Sequence, residues 1–198
     1  SSDVCSSDLQ DRGCYPDSVK LKLIGWNLIS SLFCKEQVAM CTSLVTTNKQ
    51  GDDLFGRTLD FPRRTPWALT FLPRGFQWWD VVDTHKRPLQ HALLGGMRPA
   101  GGHWLIADAV NDAGLMAAEL YFPVAADYHD QPQAGRVNLS PESFIYWLLD
   151  SHETVADIKA DLPNVAIISR KWFDNDKVFP FHWLITDRTG TYVIEPLN

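Results

Sequence analysis

Two short apolar runs, residues 104–110 and 115–122, flank Asn111-Asp112-Ala113-Gly114. Turn residues between strand-forming runs close an antiparallel hairpin, and a hairpin must bury one face against a second layer. The arrangement recurs where Asp187-Arg188-Thr189-Gly190 separates residues 178–186 from 191–194. Residues 41–47 are rich in Thr and Val and favour a strand. Asn48 to Asp52 read as a turn, and 54–61 as the returning strand. Residues 67–73, bounded by prolines, make a further strand candidate. Two helices interrupt this pattern. Ser140-Pro141-Glu142 is a helix start, with Phe144, Ile145, Leu148 and Leu149 as the apolar face. Thr154 and Asp157 have capping-box spacing ahead of Val155, Ile158 and Leu162, and Pro163 stops the run. Hairpins with adjacent helices predict an α+β layered fold. No internal repeat or domain boundary is visible after residue 41.

Composition removes several function classes. With a net charge of −6 and no basic stripe, nucleic acid is not an expected partner. No apolar run reaches the roughly 18 residues that span a bilayer, so no membrane role is expected. A cytoplasmic location is expected. The six histidines lack metal spacing and read mostly as surface, with His182 on a strand. Gly95-Gly96 and Gly101-Gly102 lack a following Lys-Ser/Thr and read as loop glycines. Trp78-Trp79 reads either as core or as the wall of an apolar pocket. Asp108, just before a turn, reads as structural.

The four cysteines, Cys5, Cys14, Cys34 and Cys41, all lie in the first 41 residues and cannot brace the rest of the chain. No Cys-x-x-Cys pair suggests zinc. Residues 1–18 carry no period of 2 or 3.6. Residues 19–33 are apolar after Lys20 and Lys22 but are followed by a poor cleavage site. Residues 1–40 are therefore expected to be a non-native read-through, with Met40 as the true start, or else a leader, disordered or loosely helical. The remainder, 41–198, is expected to be a single domain.

If Met40 or the upstream segment is removed, Cys41 carries a thiol and a free α-amine on one residue. The amine has a reference pKa of about 7.7–8.0 and the thiol about 8.5, so the amine can act as the base for the thiol. Arg57 and Asp60 follow on the expected partner strand. A guanidinium near the thiol favours thiolate, and a carboxylate would orient the amine. The two positions are odd-spaced, so a regular strand points them to opposite faces. Both reach Cys41 only if the strand ends or bulges between them. On spacing alone, a surface Arg and a strand-end Asp is the competing interpretation.

Cys41-Thr42-Ser43-Leu44 and Phe55-Gly56-Arg57-Thr58-Leu59-Asp60-Phe61 resemble the opening of the choloylglycine hydrolase family, the bile salt hydrolases and penicillin V acylases. The likeness continues through residues 72–75, 107–115, 120–123, 140–149 and 182–190, and covers essentially all of 41–196. The resemblance implies a four-layer αββα sandwich of the N-terminal nucleophile hydrolase type, truncated at the C-terminus. It implies hydrolysis of non-peptide linear amides through an acyl-enzyme on Cys41, with Arg57 and Asp60 in support. Tyr121 falls where the family places a residue near the oxyanion or substrate; a core aromatic is the alternative. Family members continue for well over a hundred residues and supply a further Asn, in an Asn-Ser-Pro context, and an Arg. This chain has no Asn-Ser-Pro, and Asn198 is not assigned that role. The resemblance implies a small-molecule amide substrate, no cofactor or metal, and a homotetramer at full length. An inactive truncated remnant is the competing expectation, and a Cys–His hydrolase a weaker one.

Overall fold

The computed structural model describes residues 41–60, 65–123, 125–173 and 176–197, together with the backbone of 20–23. In chain order the strands are β1 (Lys20–Leu23), β2 (Ser43–Thr47), β3 (Asp53–Arg57), β4 (Ala68–Leu72), β5 (Gln77–Trp78), β6 (Arg87–Pro88), β7 (Leu93–Ala100), β8 (His103–Asn111), β9 (Met116–Tyr121) and β10 (Val137–Leu139). Helices α1 (Pro141–Asp150) and α2 (Val155–Asp161) follow. A 3₁₀ turn over Leu162–Asn164 leads to β11 (Val165–Ile167), β12 (Phe181–Asp187) and β13 (Gly190–Glu195). The expectation for residues 1–40 lies outside the described residues except at β1, which is extended and pairs antiparallel with β13.

A seven-stranded sheet in the order β1-β13-β12-β9-β8-β7-β4 forms the centre. Strand alternation sorts its side chains into two sets. Ala117, Trp183, Ile185 and Ile194 point to one face, where they pack with Phe144, Ile145, Leu148, Leu149, Val155 and Ile158 of the helices. Ala118, Leu120, Leu184 and Val193 point to the other, where Cys41, Val45 and Phe55 of the β2–β3 hairpin cover them. The described layers are therefore helix, sheet and hairpin, the α, β and second β of an αββα sandwich. Among the described residues nothing covers this second face beyond the hairpin, and Leu69, Phe71 and Leu94 are exposed.

The turn chemistry behaves as the residues dictate. Gly114 and Gly190 both take positive φ at their hairpin turns. Asn111 locks the first turn to the helix layer. Its Oδ1 accepts from the Ala113 and Leu115 amides, and its Nδ2 donates to the Leu149 and His152 carbonyls at 3.0 and 2.8 Å. Thr154 and Asp157 form the expected capping box. Ser140 takes the N-cap position of α1, but its hydroxyl donates instead to Asp80, a fully buried carboxylate. Every residue of α1 is buried, which the single apolar face in the sequence does not predict.

Three expectations need correction. Gly95-Gly96 is not a loop; it lies inside β7, where the register with β8 shifts between Gly96 and Met97. A Cβ on Gly95 would sit 2.0 Å from the Asp108 carbonyl oxygen, so only glycine fits at this bulge. The returning strand after the first turn ends at Arg57, short of residue 61. His91 and His152 are buried; His91 Nδ1 pairs with Asp112, and His152 Nδ1 faces the Trp147 and Leu148 carbonyls.

Three of the four side-chain hydrogen bonds of Asn111 are buried, and truncation would orphan the Leu115 amide and the Leu149 and His152 carbonyls. Asn111→Ala is expected to cost about 2–4 kcal/mol, read as a lowered midpoint in denaturant unfolding. A change below about 0.5 kcal/mol would show that the turn does not depend on it.

Candidate active site

Cys41 is half-buried and not in a disulfide, two residues ahead of β2. By alternation it shares a face with Ser43 and Val45, and it packs on the Ala118, Leu120, Leu184 and Val193 cluster. Ser43 lies directly opposite Arg57 in the hairpin register. Cys41 and Arg57 thus stand on the same side of the hairpin, facing the central sheet.

Arg57 is almost fully buried, with 6% of its side chain exposed. A guanidinium cannot shed its charge, so burial demands acceptors. The β8–β9 ladder supplies them. Its last pair is Asp108 with Ala118; the next residues, Ala107 and Glu119, no longer pair. Arg57 Nη1 donates to the Ala107 carbonyl at 2.7 Å and to the Glu119 carbonyl at 3.0 Å. The guanidinium stands where the ladder opens and satisfies the two carbonyls left there. Asp108 Oδ2 lies 3.5 Å from the same nitrogen, and Arg57 Nε donates to the Thr58 carbonyl.

Asp60 is reached by a different route. β3 ends at Arg57, which is the break that the odd spacing of Arg57 and Asp60 requires. Beyond it, the Thr42 amide donates to Thr58 Oγ1 at 3.1 Å, and the Thr58 hydroxyl donates to Asp60 Oδ2 at 2.7 Å. The Thr58 amide donates back to the Thr42 carbonyl. Asp60 is therefore tied through one side chain to the peptide that follows Cys41.

Tyr121 is half-buried at the end of β9, opposite Phe181. Its parity matches Ala117 and Glu119, so the strand register directs it to the helix side and not toward Cys41. Trp78 also belongs to the helix side. It is core, stacked on Tyr146 at 5.1 Å and donating to Asp150. His182 lies on the Cys41 side, stacked on Phe122 with Glu195 Oε1 3.8 Å from Nδ1; burial lowers its pKa. Two residues escaped the sequence reading. Asp108 was assigned to the turn alone, and Glu119 shows nothing beyond an acid in an apolar run. Its burial follows from the alternation Ala117-Glu119 against Ala118-Leu120.

Residues 41–197 match the model of the linear amide C–N hydrolases, choloylglycine hydrolase family, and the chain belongs to that family. It is 30% identical over 155 residues to a bile salt hydrolase/transferase of Clostridium perfringens, covering 78% of this chain and 47% of that protein. It is also 30% identical over 160 residues to a conjugated bile acid hydrolase of Lactobacillus gasseri, covering 79% and 49%. The crystal structure of a conjugated bile acid hydrolase variant from Clostridium perfringens superposes with a TM-score of 0.74 at 28% identity, over 80% of this chain and 48% of that one. Penicillin V acylase from Agrobacterium tumefaciens shares the fold, with a TM-score of 0.61 at 19% identity, over 79% and 46%. The chain spans about half the length of the relatives it matches. Among the described residues no helix is long and apolar enough to cross a membrane.

Behind Arg57, the Glu119 side chain is buried on the helix side. Burial first, and then the charge of Glu142, push its pKa well above the ordinary carboxylate range. The folded state therefore keeps a proton that the unfolded chain releases. The associated stability is fully present below the ordinary Glu range and is lost as pH rises toward the folded value. Denaturant unfolding followed from pH 4 upward should show this decline, and Glu119→Gln should flatten it. An unchanged slope in the variant would mean that Glu119 is ionised in the fold.

Proposed function

We propose that the protein carrying this chain hydrolyses linear amide C–N bonds through an acyl-enzyme on Cys41, acting on penicillin V-like acyl amides or conjugated bile salts. The observation that carries this reading is the pair of separate mounts beside Cys41, one holding Arg57 in the sheet and one tying Asp60 to the Thr42 peptide. Family membership supports it.

The chemistry begins with Cys41 as the first residue of the mature protein. Its free α-amine takes the thiol proton, directly or through one water, and the thiolate attacks the amide carbon. The ammonium then gives the proton to the leaving nitrogen, the C–N bond breaks, and a thioester remains. Water adds to the thioester with the amine again as base, the C–S bond breaks, and the carboxylic acid leaves as the thiol is restored. Arg57 holds positive charge beside the thiol, and Asp60 orients the amine. Tyr121 is carried as a residue near the oxyanion or substrate on resemblance alone, against its strand parity. The reaction so written uses no cofactor or metal; the full-length protein is proposed to be a cytoplasmic homotetramer. A second reading, that the 198-residue chain alone is an inactive remnant, is favoured by the exposure of Leu69, Phe71 and Leu94 on the open sheet face.

The test is turnover of penicillin V and glycocholate by the intact protein, with mass spectrometry of its N-terminus. A free Cys41 amine and hydrolysis of at least one substrate are expected. Cys41→Ser should lower turnover at least about a thousandfold, and residues left ahead of Cys41 should abolish it. Undiminished turnover in either case refutes the mechanism.

A further inference from the structure

We propose that Asp108 is a positioning residue of this site, acting through Arg57 as its counter-charge and third anchor. The inference rests on the reading of Cys41 and Arg57 given above. Arg57 Nη1 has two hydrogens, and the Ala107 and Glu119 carbonyls take them at 2.7 and 3.0 Å. Those carbonyls hold the guanidinium in place but bring no charge to balance it. Asp108 Oδ2, at 3.5 Å from Nη1, is the carboxylate that pairs with it, and both side chains are largely buried, at 6% and 17% exposed.

The sheet is built around this carboxylate. Asp108 belongs to the last β8–β9 pair, beside the opening that Arg57 fills. Its Oδ1 accepts from the Gly96 amide at 3.2 Å. A Cβ on Gly96 would approach Oδ1 to 3.2 Å and Oδ2 to 3.3 Å, closer than side chains ordinarily pack, and the β7–β8 register shifts immediately after Gly96. The bulge and its glycine therefore make room for Asp108 to lean toward Arg57. An aspartate serving the hairpin turn alone would need none of this, because the turn bonds are made by Asn111.

The carboxylate has two effects on Arg57. It fixes the orientation of the guanidinium, and it offsets part of the field that Arg57 exerts on Cys41. Asp108→Asn keeps the shape and the acceptor for the Gly96 amide but removes the charge. The alkylation rate of Cys41 by iodoacetamide, measured from pH 5 to 9 in the intact protein, reads the field without any substrate. Asp108→Asn is expected to move that profile to lower pH by about half a unit or more, since the carboxylate's own field is lost and the guanidinium it held is freed to turn toward the thiolate; only the first of these survives without Arg57. In an Arg57→Met background the same substitution should move it by less than half as much.

Equal shifts in the two backgrounds, or no shift in either, overturn the proposal. Thermal melting confirms that each variant is folded, and Asp108→Glu provides a charged second variant. Its profile should stay within about 0.2 units of the parent, and a shift as large as that of Asp108→Asn counts against the proposal. Hydrolysis of penicillin V and glycocholate is followed in parallel. A protein that cleaves neither amide yet shows the background-dependent shift refutes the amidase reading and supports this one. A protein that cleaves an amide but shows equal shifts refutes this one alone.

Discussion

Burying a guanidinium is the constraint around which the site is arranged. A guanidinium brings a charge into the interior, so the place of Arg57 there depends on the acceptors that surround it. β8 and β9 provide them by parting after Asp108 and Ala118, which leaves the Ala107 and Glu119 carbonyls without ladder partners. The two needs cancel. The same contacts dock the β2–β3 hairpin onto the central sheet, and the docked hairpin carries Cys41 with it. A change that closed the β8–β9 opening would expel Arg57 and shift Cys41 as well.

β9 acts as a partition with different chemistry on its two sides. Ala118 and Leu120 meet the hairpin, and Ala117 and Glu119 meet the helices. Glu119 therefore touches the site through its carbonyl while its carboxyl sits behind the sheet in the field of Glu142. Protonation of that carboxyl is a matter of folding free energy, and the charges of Arg57 and Cys41 also act on it, the first favouring ionisation and the second opposing it. Asp60 stands apart from this arrangement, on an exposed segment joined to Thr42 through Thr58.

Much of the fold was legible in local patterns. The three hairpin turns and both helices lie where their turn residues and apolar periods place them, although β3 stops short at Arg57 and β12 begins only at Phe181. β7 was missed because Gly95-Gly96 has the composition of a loop, and its strand geometry comes from pairing with β4 and β8. The burial of His91, His152 and all of α1 was missed for a related reason. Each is covered by segments distant in sequence, and periodicity reports only one covered face.

By itself, the amino-acid sequence determined the family, the layered fold class and the spacing of Cys41, Arg57 and Asp60 along one hairpin. Those properties reside in local propensity and in residue order, which a linear chain displays directly. Only the tertiary structure decided that β3 stops at Arg57, that the guanidinium enters the β8–β9 opening, and that Asp108 and Glu119 stand on either side of it. Those features depend on where one strand leaves another. That point is set by long-range register and by a bulge at Ala107 opposite the two glycines, and no local pattern in the chain encodes it.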